Sequence, residues 1–174
     1  TFSANYSKNS TDLTFGGAFS RYDNARHFGE IIWSEISQNV PVRYVYYDGE
    51  SEKTDVNFYT KWNQSFSEKF SSYVDIQYRK VTYETAGIDH DQTPYSVSDD
   101  FLFLNPKAGI TYMLTPIDML YSSYAIANRE PRRTDYLEGS EKPKSEKLGN
   151  LEICWRKSKP RSTGELNYYL MNYT

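Results

Sequence analysis

Two groups of side chains in this sequence have the chemistry to hold a ligand. Asp89, His90 and Asp91 are consecutive, and carboxylate and imidazole groups are suitable ligands for a metal or a ferric compound. His27 is the other histidine of the chain, and Trp33 follows it in the same polar stretch. We take these five residues as candidate ligand-binding residues in loops. The alternative is a solvated loop tip for the Asp-His-Asp group and a loop-packing role for His27.

A basic group follows later in the chain. Arg132 and Arg133 stand close to Arg129 and Glu130, and arginine forks suit carboxylates and phosphates. These arginines are therefore candidates for recognising an anionic substrate, with Arg132 and Arg133 as the binding residues. The alternative is a network of ion pairs that braces a sheet, with Arg129 joined to Glu130 or to Glu152 on the next strand.

Catalytic motifs are absent from the sequence. It has no Gly-x-Ser-x-Gly, no P-loop, no dinucleotide-binding glycine pattern and no His-Glu-x-x-His. Asp99 and Asp100 are adjacent, and adjacent residues of a strand point to opposite faces. Cys154, beside Trp155, is expected to be a small packed side chain rather than a nucleophile. We predict no catalytic residue, no metal site and no cofactor, and hence no enzyme.

The composition indicates an all-β domain. The chain has 174 residues and a net charge of −3, which argues against a nucleic-acid partner. One cysteine excludes an internal disulfide framework. Seventeen Tyr, nine Phe and three Trp bring the aromatic share to 17%. Aromatic side chains suit a pleated, half-buried surface better than a helix.

The length of the chain fits one domain, so we treat residues 1–174 as a single segment.

Apolar and polar residues alternate along much of the chain, as strands with one apolar face require. In the clearest segment, 70–84, Val74 and Ile76 alternate with Asp75 and Gln77. No segment has the pattern of a helix. The alternation predicts about eight strands in an antiparallel meander, over residues 2–7, 12–20, 56–64, 70–84, 102–114, 118–128, 151–156 and 164–173.

The connections between these predicted strands alternate in length. Short turns are expected at 8–11, 65–69, 115–116 and 158–163, and long loops at 21–52, 86–100 and 129–147. A meander of this kind has all its tight turns at one end and all its long loops at the other, as bacterial outer-membrane barrels do. A soluble β-sandwich, for example a carbohydrate-binding module that presents Trp and Tyr to sugars, is the alternative.

Four stretches of the sequence have the character of one protein family: 16–33, 103–112, 121–131 with 142–147, and 151–156. They include an Asn-Pro-Lys-Ala-Gly strand and an Asn-Arg-Glu-Pro element. Together they resemble the TonB-dependent receptor family of Gram-negative outer membranes, particularly receptors of Bacteroides-like bacteria. Cys154 stands where that family usually has glycine.

The resemblance implies a piece from the C-terminal half of a 22-stranded barrel with a plugged lumen. The segment is expected to be a partial wall without the plug domain and the signal peptide. The whole receptor would take up a scarce nutrient (a ferric siderophore, haem, cobalamin or a glycan) across the outer membrane. This segment would supply wall and extracellular loops that contact the ligand and the lipid bilayer. The TonB complex and the plug would be partners of the full-length protein only, and the isolated segment is expected to self-associate.

Overall fold

The computed structural model describes residues 1–35, 40–138 and 141–174. Eight antiparallel strands form one sheet, and each strand pairs with its neighbours in the sequence. The all-β meander predicted from the alternation is thereby confirmed. The strands are β1 (Phe2–Lys8), β2 (Thr11–Ile31), β3 (Tyr44–Ser65), β4 (Phe70–Ile88), β5 (Pro94–Met113), β6 (Asp118–Arg129), β7 (Glu146–Lys159) and β8 (Ser162–Tyr173).

Two of the predicted long loops are wrong. Most of 21–52 belongs to β2 and β3, which pair up to Ile31 and Tyr44, and most of 86–100 belongs to β4 and β5. The strict alternation of short and long connections fails with them, because only residues 89–93 join β4 to β5. The alternation rule missed these extensions because apolar and polar residues do not alternate regularly along them, whereas backbone pairing needs no such pattern.

The third long connection, 130–145, is present and contains a short helix, α1 (Arg133–Glu138). The expectation of no helix is therefore wrong at this place. Residues 36–39 and 139–140, which fall in predicted loops, lie outside the described residues. No helix in the described part of the chain is long and apolar enough to cross a membrane.

The ladder between β5 and β6 is incomplete. It runs from Met113 and Met119 only as far as Lys107 and Ala125. Pro106, the next residue of β5, has no N–H to donate to a neighbouring strand. Beyond this point β5 pairs with β4, and β6 pairs with β7. The sheet therefore divides in its upper half, the half that holds the 89–93 turn.

Asparagine side chains close the base of this division. The Asn105 Oδ1 atom accepts hydrogen bonds of 2.9 Å from both the backbone N–H and the side chain of Asn128. The Asn128 side chain also donates to the Leu104 carbonyl at 3.1 Å. These bonds satisfy polar groups at the point where the backbone ladder ends.

Few side chains are buried, because one sheet has no second layer to pack against. Glycines aside, the buried apolar residues of the described ranges are Val81, Phe103, Pro131 and Cys154, and Thr85 and Ser123 are buried polar ones. The expectation that Cys154 is a small packed side chain is confirmed.

Candidate functional site on the two faces of the sheet

The strand register sorts the side chains into an apolar and a mainly polar face. Residues opposite one another in a ladder share a face. One cross-strand row is Phe2, Gly17, Phe58, Tyr78 and Leu104, and its members all lie on the apolar face. The next row on that face joins Phe19, Val56, Lys80 and Leu102. The alternation in the sequence therefore stays in phase from strand to strand.

The apolar face is exposed across the whole sheet. Soluble monomers rarely expose a contiguous apolar patch larger than about 600 Å². This face carries large exposed side chains on all eight strands, so it has the character of an interface rather than of a water-facing surface. Its exposed members include Phe2, Phe15, Phe19, Phe58, Ile76, Tyr78, Leu102, Leu104, Ile110, Tyr112, Leu120, Tyr124, Ile153, Trp155, Leu166, Tyr168 and Leu170.

The apolar side chains form a band of limited height, which we call the apolar band. On β5 it covers the alternate positions from Leu102 to Tyr112. Above it, on the same face, come Asp100 and Thr82 in one row, then Glu84 and Glu52 in the next. A strand that crosses a bilayer needs about 9–11 residues, which is the extent of this band on β5.

Aromatic rings stand near the lower edge of the band, the edge next to the tight turns. Trp62 and Phe66 meet edge to face with their centroids 6.4 Å apart, and Phe66 stacks on Phe70 at 5.4 Å. Trp155 lies beside Leu120 on the same face. Belts of aromatic residues at the edges of an apolar band are typical of barrels that span membranes.

The opposite face holds a cluster of four charged residues, which we call the Glu130 cluster. Arg79 donates to Glu130 from both terminal nitrogens, at 2.9 and 3.0 Å, and Lys53 donates to the same carboxylate at 2.6 Å. Asp55 accepts two further bonds from Arg79, at 2.9 and 2.6 Å. Lys53 and Asp55 lie on β3 and Arg79 on β4, whereas Glu130 follows β6. The connection after β6 therefore crosses β5 on this face.

A second attachment holds the same connection, which we call the strap (residues 130–145). The Tyr136 hydroxyl of α1 donates to Asp99 at 2.8 Å, and Lys142 forms an ion pair with the same carboxylate. The rings of Tyr136 and Tyr83 lie 6.3 Å apart. Val81 lies in the sheet between the two attachments and is fully buried. The strap therefore covers part of the polar face.

The ionisation of two strap residues follows from these contacts. Burial by itself would raise the pKa of Glu130, but hydrogen bonds from Lys53, its own backbone and Arg79 outweigh burial and lower the pKa to about 2. Burial and the bond to Asp99 raise the pKa of the Tyr136 hydroxyl. Glu130 is therefore an anion and Tyr136 a neutral donor throughout the neutral range.

The structure places the loop candidates in three different segments, namely β2, the connection that follows it and the 89–93 turn. His27 lies in β2 rather than in a loop, and its Nε2 atom is 2.8 Å from the Tyr95 hydroxyl of β5. The two side chains meet above Gly49 and Gly87, which lie between them in the same row. A side chain at Gly49 would overlap the Tyr95 hydroxyl and the His27 ring, so the two side chains would have to move to admit it.

The other candidates lie at the upper end. Trp33 is exposed in the connection between β2 and β3. In the 89–93 turn, His90 Nδ1 is 3.2 Å from Asp89, and Asp91 accepts a bond from the Thr93 backbone. That bond is the main reason the pKa of Asp91 is lowered. Over the described ranges 1–35, 40–138 and 141–174, no three or more His, Cys, Asp or Glu side chains are grouped to hold a metal ion.

Arg129 forms an ion pair with the next strand, as the bracing alternative expected, but its partner is not one of the two residues named for it. Arg129 pairs with Glu146 at 2.7 Å, directly opposite on β7, and not with Glu130 or Glu152. Arg132 is exposed, and its backbone N–H donates to Asp135. Arg133 begins α1. Lys53, Asp55 and Arg79 were not among the predicted site residues, because their partner Glu130 comes from a strap whose path the alternation does not predict.

The comparisons with known proteins add no assignment to this geometry. No protein-family model and no curated protein matches the chain.

Proposed function

We propose that this chain is part of the wall of a large outer-membrane β-barrel, of the TonB-dependent receptor kind, that takes up a scarce nutrient. The observation that carries the proposal is the apolar band, which runs in register over eight strands and ends at polar rows. Lipid would cover this face, and water would contact the Glu130 cluster on the other. The segment would supply barrel wall and extracellular loops to the receptor, and its own role would be recognition and not catalysis.

The dimensions of the band support a membrane location. Strands advance about 3.3 Å per residue and tilt by about 45° in membrane barrels, so the band from Leu102 to Tyr112 has the height of a hydrocarbon core, about 25 Å. The extensions of β2 to β5 above the band would reach beyond the bilayer. They carry His27, Trp33 and the 89–93 turn, which makes that end the ligand-facing one in this proposal.

The open sheet edges at β1 and β8 fit a wall that continues on both sides. Unpaired backbone groups are costly in lipid, and closed barrels remove them. In the whole receptor, neighbouring strands would pair with these edges. The isolated chain would instead self-associate. A soluble carbohydrate-binding module receives less support, because a sandwich covers one face of each of its sheets with the other sheet.

Lipid contact can be tested with the tryptophans. Two variants, each retaining one tryptophan and carrying phenylalanine at the other two positions, are folded into phospholipid vesicles that contain brominated acyl chains. We expect strong quenching of Trp155, which lies in the apolar band, and weak quenching of Trp33, which lies above it. Equal quenching of the two, or a chain that stays monomeric in buffer without binding vesicles, would contradict the membrane location.

The receptor assignment needs a separate test, because other barrels also have apolar bands. The reading frame on both sides of this segment should encode a plug-like domain upstream and further alternating strands downstream. A frame that encodes neither would overturn the receptor assignment while leaving the lipid contact of the sheet intact.

A further inference from the structure

The Glu130 carboxylate is bound by two cationic side chains, which together form a carboxylate site. The Arg79 guanidinium binds it with both terminal nitrogens at 2.9 and 3.0 Å, and the Lys53 ammonium binds it at 2.6 Å. Two-pronged binding by arginine selects for the planar, two-oxygen shape of a carboxylate. Glu130 is 13% exposed at the side chain, which leaves the group close to solvent.

Asp55 orients the Arg79 side chain of this carboxylate site. It accepts bonds from the Nε and one terminal nitrogen of Arg79, which fixes the plane of the guanidinium. Lys53, Asp55 and Arg79 all belong to paired strands, so the backbone pairing that positions them does not involve Glu130. Without Glu130 they carry one net positive charge in a half-buried place, and such a charge attracts an anion.

Glu130, which occupies the carboxylate site, belongs to the strap. Glu130 is the first residue after β6, and it lies 51 positions from Arg79 and 77 from Lys53 along the chain. The Asp99 attachment is formed by other residues, Tyr136 and Lys142. Glu130 can therefore leave the carboxylate site while the strands of the sheet remain paired.

We propose that Lys53, Asp55 and Arg79 form a binding site for a small carboxylate-bearing molecule, and that Glu130 occupies this site until such a molecule displaces it. Displacement releases the beginning of the strap from the polar face. The proposal rests on the contacts of the Glu130 cluster and not on the membrane location. It therefore stands or falls separately from the proposed function.

Acetate is a suitable probe, because it presents only the carboxylate. We compare Glu130→Ala, which vacates the site, with Glu138→Ala, which removes an exposed glutamate from the same strap. Acetate binding is measured by ligand-observed NMR titration. An internal competitor lowers apparent affinity by the fraction of vacant sites, so Glu130→Ala should bind acetate about tenfold more tightly than Glu138→Ala. Adding Arg79→Gln to Glu130→Ala should abolish the gain.

A second measurement uses the unmodified chain and so does not depend on the folding of a variant. Trypsin can cut after Arg132 and Arg133 in the strap. Cleavage there should be faster in sodium acetate than in sodium chloride at the same concentration. Equal acetate affinity in the two alanine variants, or equal cleavage in the two salts, would overturn the proposal.

Discussion

Arg79 and Glu130 form a two-pronged ion pair between strand β4 and the strap, although 51 positions separate them in the chain. The pair joins the first half of the sheet to the connection that follows β6. Lys53 adds a third bond to the same carboxylate. The sheet has no second layer. The Glu130 cluster and the Asp99 attachment therefore hold the strap against the polar face, where other proteins would use a packed core.

Replacing Glu130 with glutamine should loosen the strap without disturbing the strands. The change leaves the two cationic groups half-buried with a weaker acceptor, and hydrogen bonds to charged groups contribute roughly 1.5–3 kcal/mol each. A loss of about 2 kcal/mol corresponds to about thirtyfold more frequent opening. Hydrogen exchange of the backbone amides of α1 measures this opening.

Glu138→Gln is the matched control, since Glu138 is exposed in the same helix. It should leave the exchange rates of α1 unchanged. Equal rates in Glu130→Gln and Glu138→Gln would show that the Glu130 cluster does not hold the strap.

The Glu130 contact should resist mild acid. Because its pKa is lowered to about 2 from the ordinary 4.5, the carboxylate form is favoured by folding. The stabilisation is fully present above pH 4.5 and is lost as the pH falls through about 2. A ¹³C NMR titration of glutamate side-chain carboxyls, with Glu130→Gln to assign the signal, should give a midpoint near 2. A midpoint at or above 4.5 would contradict the geometry of the cluster.

A charge should be costly on one face of β5 and tolerated on the other. Ile110 lies in the apolar band, and its neighbour Thr111 lies on the polar face. If lipid covers the band, Ile110→Arg should reduce the stability of the vesicle-inserted chain by about 2 kcal/mol, since arginine near the bilayer midplane costs about 2–4 kcal/mol. Thr111→Arg should have a much smaller effect. Urea unfolding from vesicles measures both, and similar losses would argue against lipid on the band.

Glycine should be required where a tyrosine leans across the neighbouring strand. A side chain at Gly109 would come within 2.5 Å of the Tyr73 ring, whose hydroxyl reaches Tyr121 at 2.9 Å. Gly109→Ala should therefore cost about 1–3 kcal/mol through overpacking. Gly164 has open space around it, and Gly164→Ala should be neutral or stabilising by about 0.5 kcal/mol. Urea midpoints of the two variants check this, and equal midpoints would contradict it.

Local alternation sufficed to predict the strands of the apolar band. In β4, Val74, Ile76 and Tyr78 mark one face, and the pattern holds because one face is apolar and the other polar. The extensions were missed because Glu50 and Glu52 on β3 share a face with Glu84 on β4, so no apolar parity remains above the band. Pairing there depends on continued register, which sequence composition does not reveal.

The site was less accessible to sequence reasoning than the fold. Glu130 was visible as part of a charged group, but its partners lie two and three strands away. Glu130 reaches Arg79 because the strap crosses β5 above the point where the β5–β6 ladder ends. The Tyr136 contact with Asp99 has the same origin, since it depends on α1, which is too short to give a helical pattern.

The division at Pro106 separates the strands of the sheet into two groups, which we call panels. One panel contains β1 to β5 and the other β6 to β8, and the ladder from Lys107 to Met113 is the hinge between them. The strap connects the two panels. It begins after Arg129 in the second panel, and its Glu130 binds Arg79 in the first. Tyr136 of the strap also binds Asp99 of β5, and Asn128 of β6 binds Asn105 of β5. Side chains therefore join the two halves at three places above the ladder, where backbone pairing alone would leave them apart.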